Sequence, residues 1–176
     1  MTKSKKPDRA EPQQVQTLVL PKNFEISSEM QTAITHVSNG KSLFITGRAG
    51  TGKSTLQTYL REEVLHDNYV VVAPTGVAAI NVGGSTIHKF FGFLPDITFQ
   101  HIESAEYHPR NQKIMKNLKT LIIDEISMVR ADLLDCVEKA LRKFGPNPTK
   151  PFGGVQVIFV GDLFQLSPIV AETEKE

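Results

Sequence analysis

The sequence predicts an α/β fold with a parallel β-sheet flanked by helices, and three observations support this prediction. Four short apolar segments rich in β-branched residues recur along the chain, as is typical of strands that are buried on both faces. Helical patterns lie between these segments, and such alternation favours a parallel sheet with right-handed crossovers. With 176 residues, of which 40% are hydrophobic, the chain can form one domain with a core but not two.

The elements are predicted in the order strand, loop, helix, after one initial helix. This first helix has Ser27 or Ser28 as its N-cap and ends near Asn39. Strands are predicted at residues 42–46, 69–73, 120–124 and 155–160. Further helices are predicted at residues 53–65, around 111–117 and at 131–144. Residues 94–110, which contain two prolines and scattered charges, are predicted to form a surface insertion.

The N-terminal residues differ in composition from the rest of the chain. Residues 1–21 are polar, charged and proline-containing, so they cannot bury enough apolar surface to offset the entropy of ordering. We therefore predict a disordered polar tail over 1–21 and one domain over 22–176. Four cations of the tail could contact a nucleic-acid backbone, but a solvated tail is the favoured interpretation: Lys3, Lys5, Lys6 and Arg9.

Composition excludes several classes of protein. The formal net charge is +1, so no overall field attracts the chain to nucleic acid or acidic lipid, and such binding needs a local surface. The single cysteine, Cys136, excludes an internal disulfide and cysteine-based metal clusters, and it suits a reducing compartment. No stretch approaches the roughly 18 apolar residues of a membrane span. We expect a soluble intracellular protein with no membrane partner.

A glycine-rich segment between the first predicted strand and the following helix fits the pattern G-x-x-x-x-G-K-[ST] in full. Glycines let the backbone N–H groups turn toward an anion, which the N-terminal end of the helix also attracts. Lys53 would reach the β- and γ-phosphates, and the Ser54 hydroxyl would coordinate Mg²⁺. A turn without a ligand is the alternative, but the pattern favours ATP and Mg²⁺. The predicted nucleotide-binding residues are Gly47, Ala49, Gly50, Thr51, Gly52, Lys53, Ser54 and Thr55.

Two acids end the third predicted strand. Asp124 and Glu125 would lie at the carboxyl edge of the sheet, where ligands bind in open α/β folds. Asp124 can hold Mg²⁺, while Glu125 can polarise the water that attacks the γ-phosphorus. We therefore predict ATP hydrolysis, with Lys53, Asp124 and Glu125 as catalytic residues and with Ser54 and Asp124 as metal ligands.

The fourth predicted strand ends in GDLFQLSP at the same edge. Gln165 carries an uncharged amide that can donate to the γ-phosphate or orient the attacking water, so it is the fourth predicted catalytic residue. Asp162 could act there too, or could cap the following turn.

Residues 70–93 have an unusual composition for a connection. Small residues near Pro74, Thr75 and Gly76 suit close approach by a phosphodiester chain. Histidine, lysine and phenylalanine follow at His88, Lys89 and Phe90, and aromatic rings beside a cation suit a single nucleic-acid strand. The phenylalanines could equally pack under the sheet, and His88 could be a core histidine. The residues alone leave both alternatives open.

Four blocks in order resemble one family: GRAGTGKST, APTGVAAINVGGSTIHKFFGF, LIIDEISMV and PFGGVQVIFVGDLFQLSP. Together with the residues between them, over 24–168, they resemble the first RecA-like domain of PIF-type (petite integration frequency) DNA helicases of superfamily one. The second and fourth blocks are the specific ones, because many ATPases carry the other two. The implied fold is a P-loop NTPase with a RecA-like parallel sheet flanked by helices, incomplete at the C-terminus.

The resemblance also implies roles for individual residues. Segment ISSEMQ resembles the adenine-reading glutamine motif, with Gln31 as the candidate and Met30 where some members have glutamine. Gln165 would sense the γ-phosphate. Residues matching the single-stranded DNA path are Pro74, Thr75, Gly76, Thr86 and His88, to which Lys89 and Phe90 are added from their chemistry. The implied partners are single-stranded DNA and DNA forks.

Family enzymes move 5′ to 3′ and act in genome maintenance, including repair, recombination and telomere maintenance. They contain a second RecA-like domain, so the resemblance implies that this chain is the N-terminal ATPase half of such an enzyme, weak or inactive by itself. The residues found within the motifs are typical of bacterial proteins, which favours a bacterial cytoplasm over a nucleus or mitochondrion. Two alternatives stay open, namely a stand-alone ATPase that loads another machine and a non-enzymatic module that binds nucleotide and single-stranded DNA.

Overall fold

A computed structural model describes residues 25–165, and the tail predicted over 1–21 lies outside these residues. Five parallel strands form one sheet in the order β1-β5-β4-β2-β3. The strands are β1 Leu43–Thr46, β2 Tyr69–Ala73, β3 Ser85–Thr86, β4 Thr120–Ile123 and β5 Gln156–Gly161. The prediction of a parallel sheet is confirmed, and the very short strand β3 is an addition to the four predicted strands.

Helices flank the sheet, as predicted. They are α1 Ser28–Ser38, α2 Lys53–Tyr59, α3 Gly76–Asn81, α4 Ile87–Phe91, α5 Phe99–Glu103, α6 Gln112–Lys116 and α7 Ala131–Phe144. The α1 N-cap is Ser27, whose Oγ accepts a hydrogen bond from the Met30 backbone N–H at 3.3 Å. Helix α2 continues directly into the π-helical turn Leu60–Val64, so the predicted helix 53–65 exists but changes its winding. Within residues 25–165, no helix has the length and apolar character that a membrane crossing requires.

Apolar clusters cover both faces of the sheet. Strand β4 illustrates this arrangement because all four of its residues are buried, with Leu121 facing one cluster and Ile122 the other. Helices α4 to α7 contribute to the cluster around Leu121, and α1 and α2 contribute to the one around Ile122. A strand buried on both faces needs an uninterrupted apolar sequence, which explains the segments that predicted the fold.

The insertion predicted over residues 94–110 is not confined to the surface. It contains α5, and the Ile102 side chain is fully buried. The buried Tyr107 donates its hydroxyl to Phe91 O at 2.6 Å, and Lys143 Nζ donates to Ile102 O at 2.7 Å. The prediction was wrong on this point because prolines and charges dominate this stretch, although two of its side chains, Ile102 and Tyr107, are buried.

Candidate functional site

The glycine-rich loop lies between β1 and α2, as predicted. Gly50 and Gly52 have φ values of +78° and +86°, in the left-handed region that favours glycine. A Cβ atom on Gly52 would lie 2.7 Å from Met30 Cε, so a side chain at this position would also require the Met30 side chain to move. The loop conformation therefore depends on glycine at this position.

Lys53 lies across the loop. Its ammonium donates to Gly47 O and, at 3.0 Å, to Arg48 O, while Thr51 Oγ1 also donates to Arg48 O at 2.8 Å. The lysine is thus held in place by carbonyl groups. A phosphate oxygen would be a stronger acceptor for the same ammonium, because it carries negative charge whereas a carbonyl oxygen is neutral.

A cleft of about 380 Å³ joins the loop to the ends of two other strands. The structure brings together most of the side chains that were predicted separately, and the lining residues are Ala49, Gly50, Gly52, Lys53, Ser54, Thr55, Glu125, Asp162 and Gln165. The adjacency of β1, β5 and β4 explains this convergence, since the carboxyl ends of parallel strands meet at one edge.

Asp124 and Glu125 occupy different environments. The pKa of Asp124 is raised to about 6, mainly by burial and also by the charge of Glu125, while a backbone hydrogen bond and the charge of Lys53 act in the opposite direction. Glu125 has φ +49° and ψ +46°, a left-handed conformation that is uncommon outside glycine. The chain thus turns sharply after Asp124, and Glu125 lines the cleft beside Ser54.

Asp162 organises the end of β5. This residue is 4% exposed, its Oδ1 accepts from the Phe164 backbone N–H at 3.0 Å, and its Oδ2 accepts from Gln165 Nε2 at 3.0 Å. The alternative that Asp162 caps the following turn is therefore correct. It also holds the Gln165 amide at the cleft, a role that sequence reasoning missed although the spacing D-x-x-Q could have indicated it.

Gln31 is not among the residues that line the cleft. Its side chain is exposed and does not line the cleft, and the residue before it, Met30, packs against Gly52. Met30 also lines a second cavity of about 440 Å³ between α1 and β1. The face of α1 toward the loop therefore presents Met30 rather than Gln31, and the adenine-reading role of Gln31 stays a prediction.

The predicted DNA-binding segment follows β2 and lies at the same edge of the sheet as the cleft. Thr75 and Thr86 are N-caps, accepting hydrogen bonds from Ala78 N at 3.2 Å and Lys89 N at 3.1 Å. Four of the predicted residues are partly buried, Pro74, Thr75, Thr86 and His88, and two are exposed, Gly76 and Lys89. Burial lowers the pKa of His88, which favours the neutral imidazole.

The phenylalanines of this segment belong to the core. Phe90 is 5% exposed, and its ring makes an edge contact with Phe91 at 5.0 Å between centroids. Phe91 stacks on Phe93 at 5.3 Å. Phe90 was predicted to bind DNA, and the structure contradicts that prediction because a buried ring cannot stack on a base.

Four features occur together here: a parallel sheet, a lysine-bearing glycine loop before α2, two acids after β4 and a glutamine after β5. Together they define a RecA-like P-loop NTPase domain. Comparison with known proteins gives the family. The model of the PIF1-like helicase family matches residues 23–176, and the chain belongs to this family.

Curated relatives agree with this assignment. The ATP-dependent DNA helicase PIF1 of Saccharomyces cerevisiae (strain YJM789) is 40% identical over 156 residues, which cover 82% of this chain and 17% of that protein. The protein of the same name from Homo sapiens is 39% identical over 160 residues, which cover 90% of this chain and 25% of that protein. The chain thus spans about a quarter or less of these two relatives.

Solved structures show the same fold. The crystal structure of Pif1 helicase from Bacteroides in complex with ADP-AlF3 and ssDNA is 38% identical and superposes with a TM-score of 0.73. The match covers 87% of this chain and 36% of that one. A structure of Bacteroides sp Pif1 with ADP-AlF4 gives a TM-score of 0.72 at 39% identity, over 87% and 36% of the two chains.

Proposed function

We propose that this chain is the N-terminal ATPase domain of an ATP-dependent DNA helicase that moves 5′ to 3′ along single-stranded DNA and unwinds duplexes. The observation that carries the proposal is the convergence of Lys53, Ser54, Glu125 and Gln165 on one cleft. Membership of the PIF1-like helicase family supports it. Roles in DNA repair, recombination and telomere maintenance, and a place in a bacterial cytoplasm at the nucleoid, belong to the same proposal.

ATP would bind with its phosphates in the glycine loop. Backbone N–H groups at the start of α2 would surround the β-phosphate, and Lys53 would exchange its carbonyl partners for β- and γ-phosphate oxygens. The residues that would form this site are Gly47, Ala49, Gly50, Thr51, Gly52, Lys53, Ser54 and Thr55. The adenine would lie toward the cavity beside Met30, which is continuous with the loop through Gly47 and Gly52.

Ser54 and Asp124 fit a magnesium ion. Both offer oxygen ligands, and the raised pKa of Asp124 reflects a carboxylate whose burial and acidic neighbour Glu125 a divalent cation would compensate. When bound, Mg²⁺ neutralises charge that develops on the β- and γ-phosphate oxygens. Ser54 would hold the ion through its hydroxyl, and Asp124 would hold it directly or through its water shell.

Glu125 and Gln165 would act on the attacking water. Glu125 would accept a proton from this water, and Gln165 would orient it or donate to the γ-phosphate. Asp162 would serve as a positioning residue, since its carboxylate accepts from the Gln165 amide. Loss of the γ-phosphate would release Gln165, so the segment after β5 would report whether ATP or ADP is bound.

Single-stranded DNA and DNA forks are the proposed partners. Bacteroides Pif1 has been crystallised with ssDNA, and a further Pif1 structure concerns unwinding at forked dsDNA. The residues proposed to line the path are Pro74, Thr75, Gly76, Thr86, His88 and Lys89. Caps at Thr75 and Thr86 fix the starts of two short helices there, and the exposed Lys89 would neutralise a phosphate.

A second RecA-like domain is the other proposed partner, in the same full-length protein. The Bacteroides structures extend well beyond the region matched here, which covers 36% of that chain. Stepping along DNA needs two bodies that open and close with the nucleotide. An arginine supplied by the second body would raise turnover by roughly 10³- to 10⁵-fold, so we propose that this domain alone hydrolyses ATP slowly.

ATP turnover by the 176-residue chain, with and without single-stranded DNA, tests the proposal. We expect slow turnover that DNA accelerates and that Glu125→Gln lowers by roughly 10²- to 10⁴-fold, because the substitution removes the proton acceptor. Nucleotide affinity should persist in this variant. Glu106→Gln, which changes an exposed acid of the insertion, is the matched control and should leave turnover unchanged. Zero turnover in both conditions, with no effect of Glu125→Gln, would contradict the proposal.

A further inference from the structure

Arg61 links the helix that follows the phosphate loop to the segment proposed to bind DNA. It lies in the π-helical turn Leu60–Val64, which continues α2 without a break from Lys53. Its Nη1 donates to Val82 O at the C-terminal end of α3. Single π-turns within α-helices are frequent at functional sites, and an arginine beside the last carbonyls of a helix is favourable for that helix.

The receiving loop is tightly held. A Cβ on Gly84 would lie 2.5 Å from Val71 O, so the loop backbone presses directly on β2. Arg61 Nη2 lies 3.7 Å from the place of a Cβ on the preceding Gly83. Strand β3 and the α4 cap Thr86 follow at once. A displacement of Val82 O would therefore be passed on to the start of α4 rather than absorbed by slack in the loop.

Two buried donors on α2 and its π-helical continuation lack acceptors. Arg61 Nε and Gln57 Nε2 are buried and have no hydrogen-bond partner among residues 25–165, and no carboxylate of that range forms an ion pair with Arg61. Gln57 is 3% exposed and precedes Arg61 by one helical turn. Buried donors without acceptors raise the free energy of a structure. A bound water molecule or a second arrangement of α2 against the α3–β3 loop would satisfy them.

We propose that Arg61 is a positioning residue that couples nucleotide binding in the phosphate loop to DNA affinity of residues 74–89. The inference rests on the proposed function of both sites. Phosphate binding draws Lys53 off the loop carbonyls, and α2 adjusts together with its π-helical continuation. Arg61 then carries the adjustment to Val82 O and so to both short helices of the DNA segment. By linkage, DNA must alter nucleotide affinity by the same factor.

The coupling can be tested by measuring how tightly the 176-residue chain binds a fluorescent single-stranded oligonucleotide. The affinity is measured with and without a slowly hydrolysed ATP analogue and Mg²⁺. We expect the nucleotide to change the affinity of the parent chain by at least about fivefold. In Arg61→Met, which keeps the packing of the side chain but removes its donors, the ratio should approach one. Affinity for each ligand measured alone should stay near that of the parent, a result that a general structural defect would not give.

Two further variants complete the test. Arg61→Lys retains one charged donor and should give an intermediate ratio, which keeps the test decisive if Arg61→Met does not fold. Lys113→Met removes the same charge from the exposed surface of α6 and should leave the ratio unchanged. An unchanged ratio in the Arg61 variants, or a parent chain that binds both ligands without mutual influence, overturns the coupling alone. A parent chain that binds neither ligand overturns the proposed function as well.

Discussion

The phosphate loop at residues 47–55 and the segment at residues 74–93 lie at one edge of the sheet but are built differently. In the loop, left-handed glycines leave the backbone and Lys53 facing a cleft. In the second segment, threonines cap short helices and phenylalanines fill the core. A motif made of glycines and one cation can therefore be recognised from the sequence alone. A segment in which core residues are interleaved with residues proposed to bind DNA cannot be interpreted from the sequence in this way.

The largest expected effect separates packing from binding within the second segment. Phe90→Ala should lower the free energy of unfolding by about 3–5 kcal/mol, because the ring is buried among other aromatic rings. Chemical denaturation measures this change. Phe90→Leu removes the aromatic ring but keeps most of the apolar volume, and it should leave affinity for single-stranded DNA unchanged. A clear loss of DNA affinity in a folded Phe90→Leu protein would restore the stacking role.

The second largest effect is expected on ATP affinity, from a substitution in the phosphate loop. Lys53→Ala should weaken ATP binding by about 10- to 100-fold, which corresponds to the roughly 1.5–3 kcal/mol of a hydrogen bond to a charged group. Isothermal titration calorimetry with ATP and Mg²⁺ measures the affinity. Lys41→Ala, at the opposite end of β1, serves as the control and should bind ATP like the parent. Equal affinities of the Lys53→Ala variant and the parent would remove the basis for treating the loop as a ligand site.

A smaller effect would sharpen the contrast by showing that Asp124, the buried acid next to the cleft residue Glu125, reduces stability. The pKa of Asp124 is about 6 in the folded chain against an ordinary value of 3.8, so between these values the native state binds more protons than the unfolded chain. The contribution of Asp124 to stability therefore falls as pH rises from about 4 to about 6 and stays unfavourable above. Without divalent cations, Asp124→Asn should raise the unfolding free energy by about 1–2 kcal/mol at pH 7.

The same substitution should have almost no effect near pH 3 and below, where Asp124 is mostly protonated in both states. Denaturant unfolding at about pH 3 and pH 7 in the presence of a chelator measures the difference. Asp135→Asn, on α7, changes a carboxylate outside the cleft and should not reproduce the pH dependence. A stability gain that is equal at both pH values would show that desolvation of Asp124 is not its cause.

The sequence predicts the long elements of the fold well. The bounds of α7 and β2 agree with the prediction, because an apolar face repeated over many residues, or an unbroken β-branched run, gives a strong local signal. The short elements α3, α4 and α5 were not predicted. Each begins after a capping threonine, Thr75, Thr86 or Thr98, and five or six residues are too few to display a helical period.

The site was predictable where backbone and spacing define it. Lys53, Ser54 and Glu125 are at the cleft as expected, because motif and strand order fix them together. Whether Met30 or Gln31 points toward the loop depends on which face of α1 packs against it, and tertiary packing decides this orientation. Asp162 was left with two alternatives, because a carboxylate after a strand can cap a turn or face a ligand and its hydrogen-bond partners decide between them.

Because Gly161 has no side chain, the turn that bears Glu125 can lie close to the end of β5. A methyl group there would lie 2.9 Å from Ile126 Cγ2 and 3.1 Å from Ile126 N, just after Glu125. Replacement by alanine would act as a wedge between the turn that bears Glu125 and the strand end that leads to Gln165. The spacing between Glu125 and Gln165 therefore depends on a hydrogen atom at Gly161 where any other residue would have a carbon.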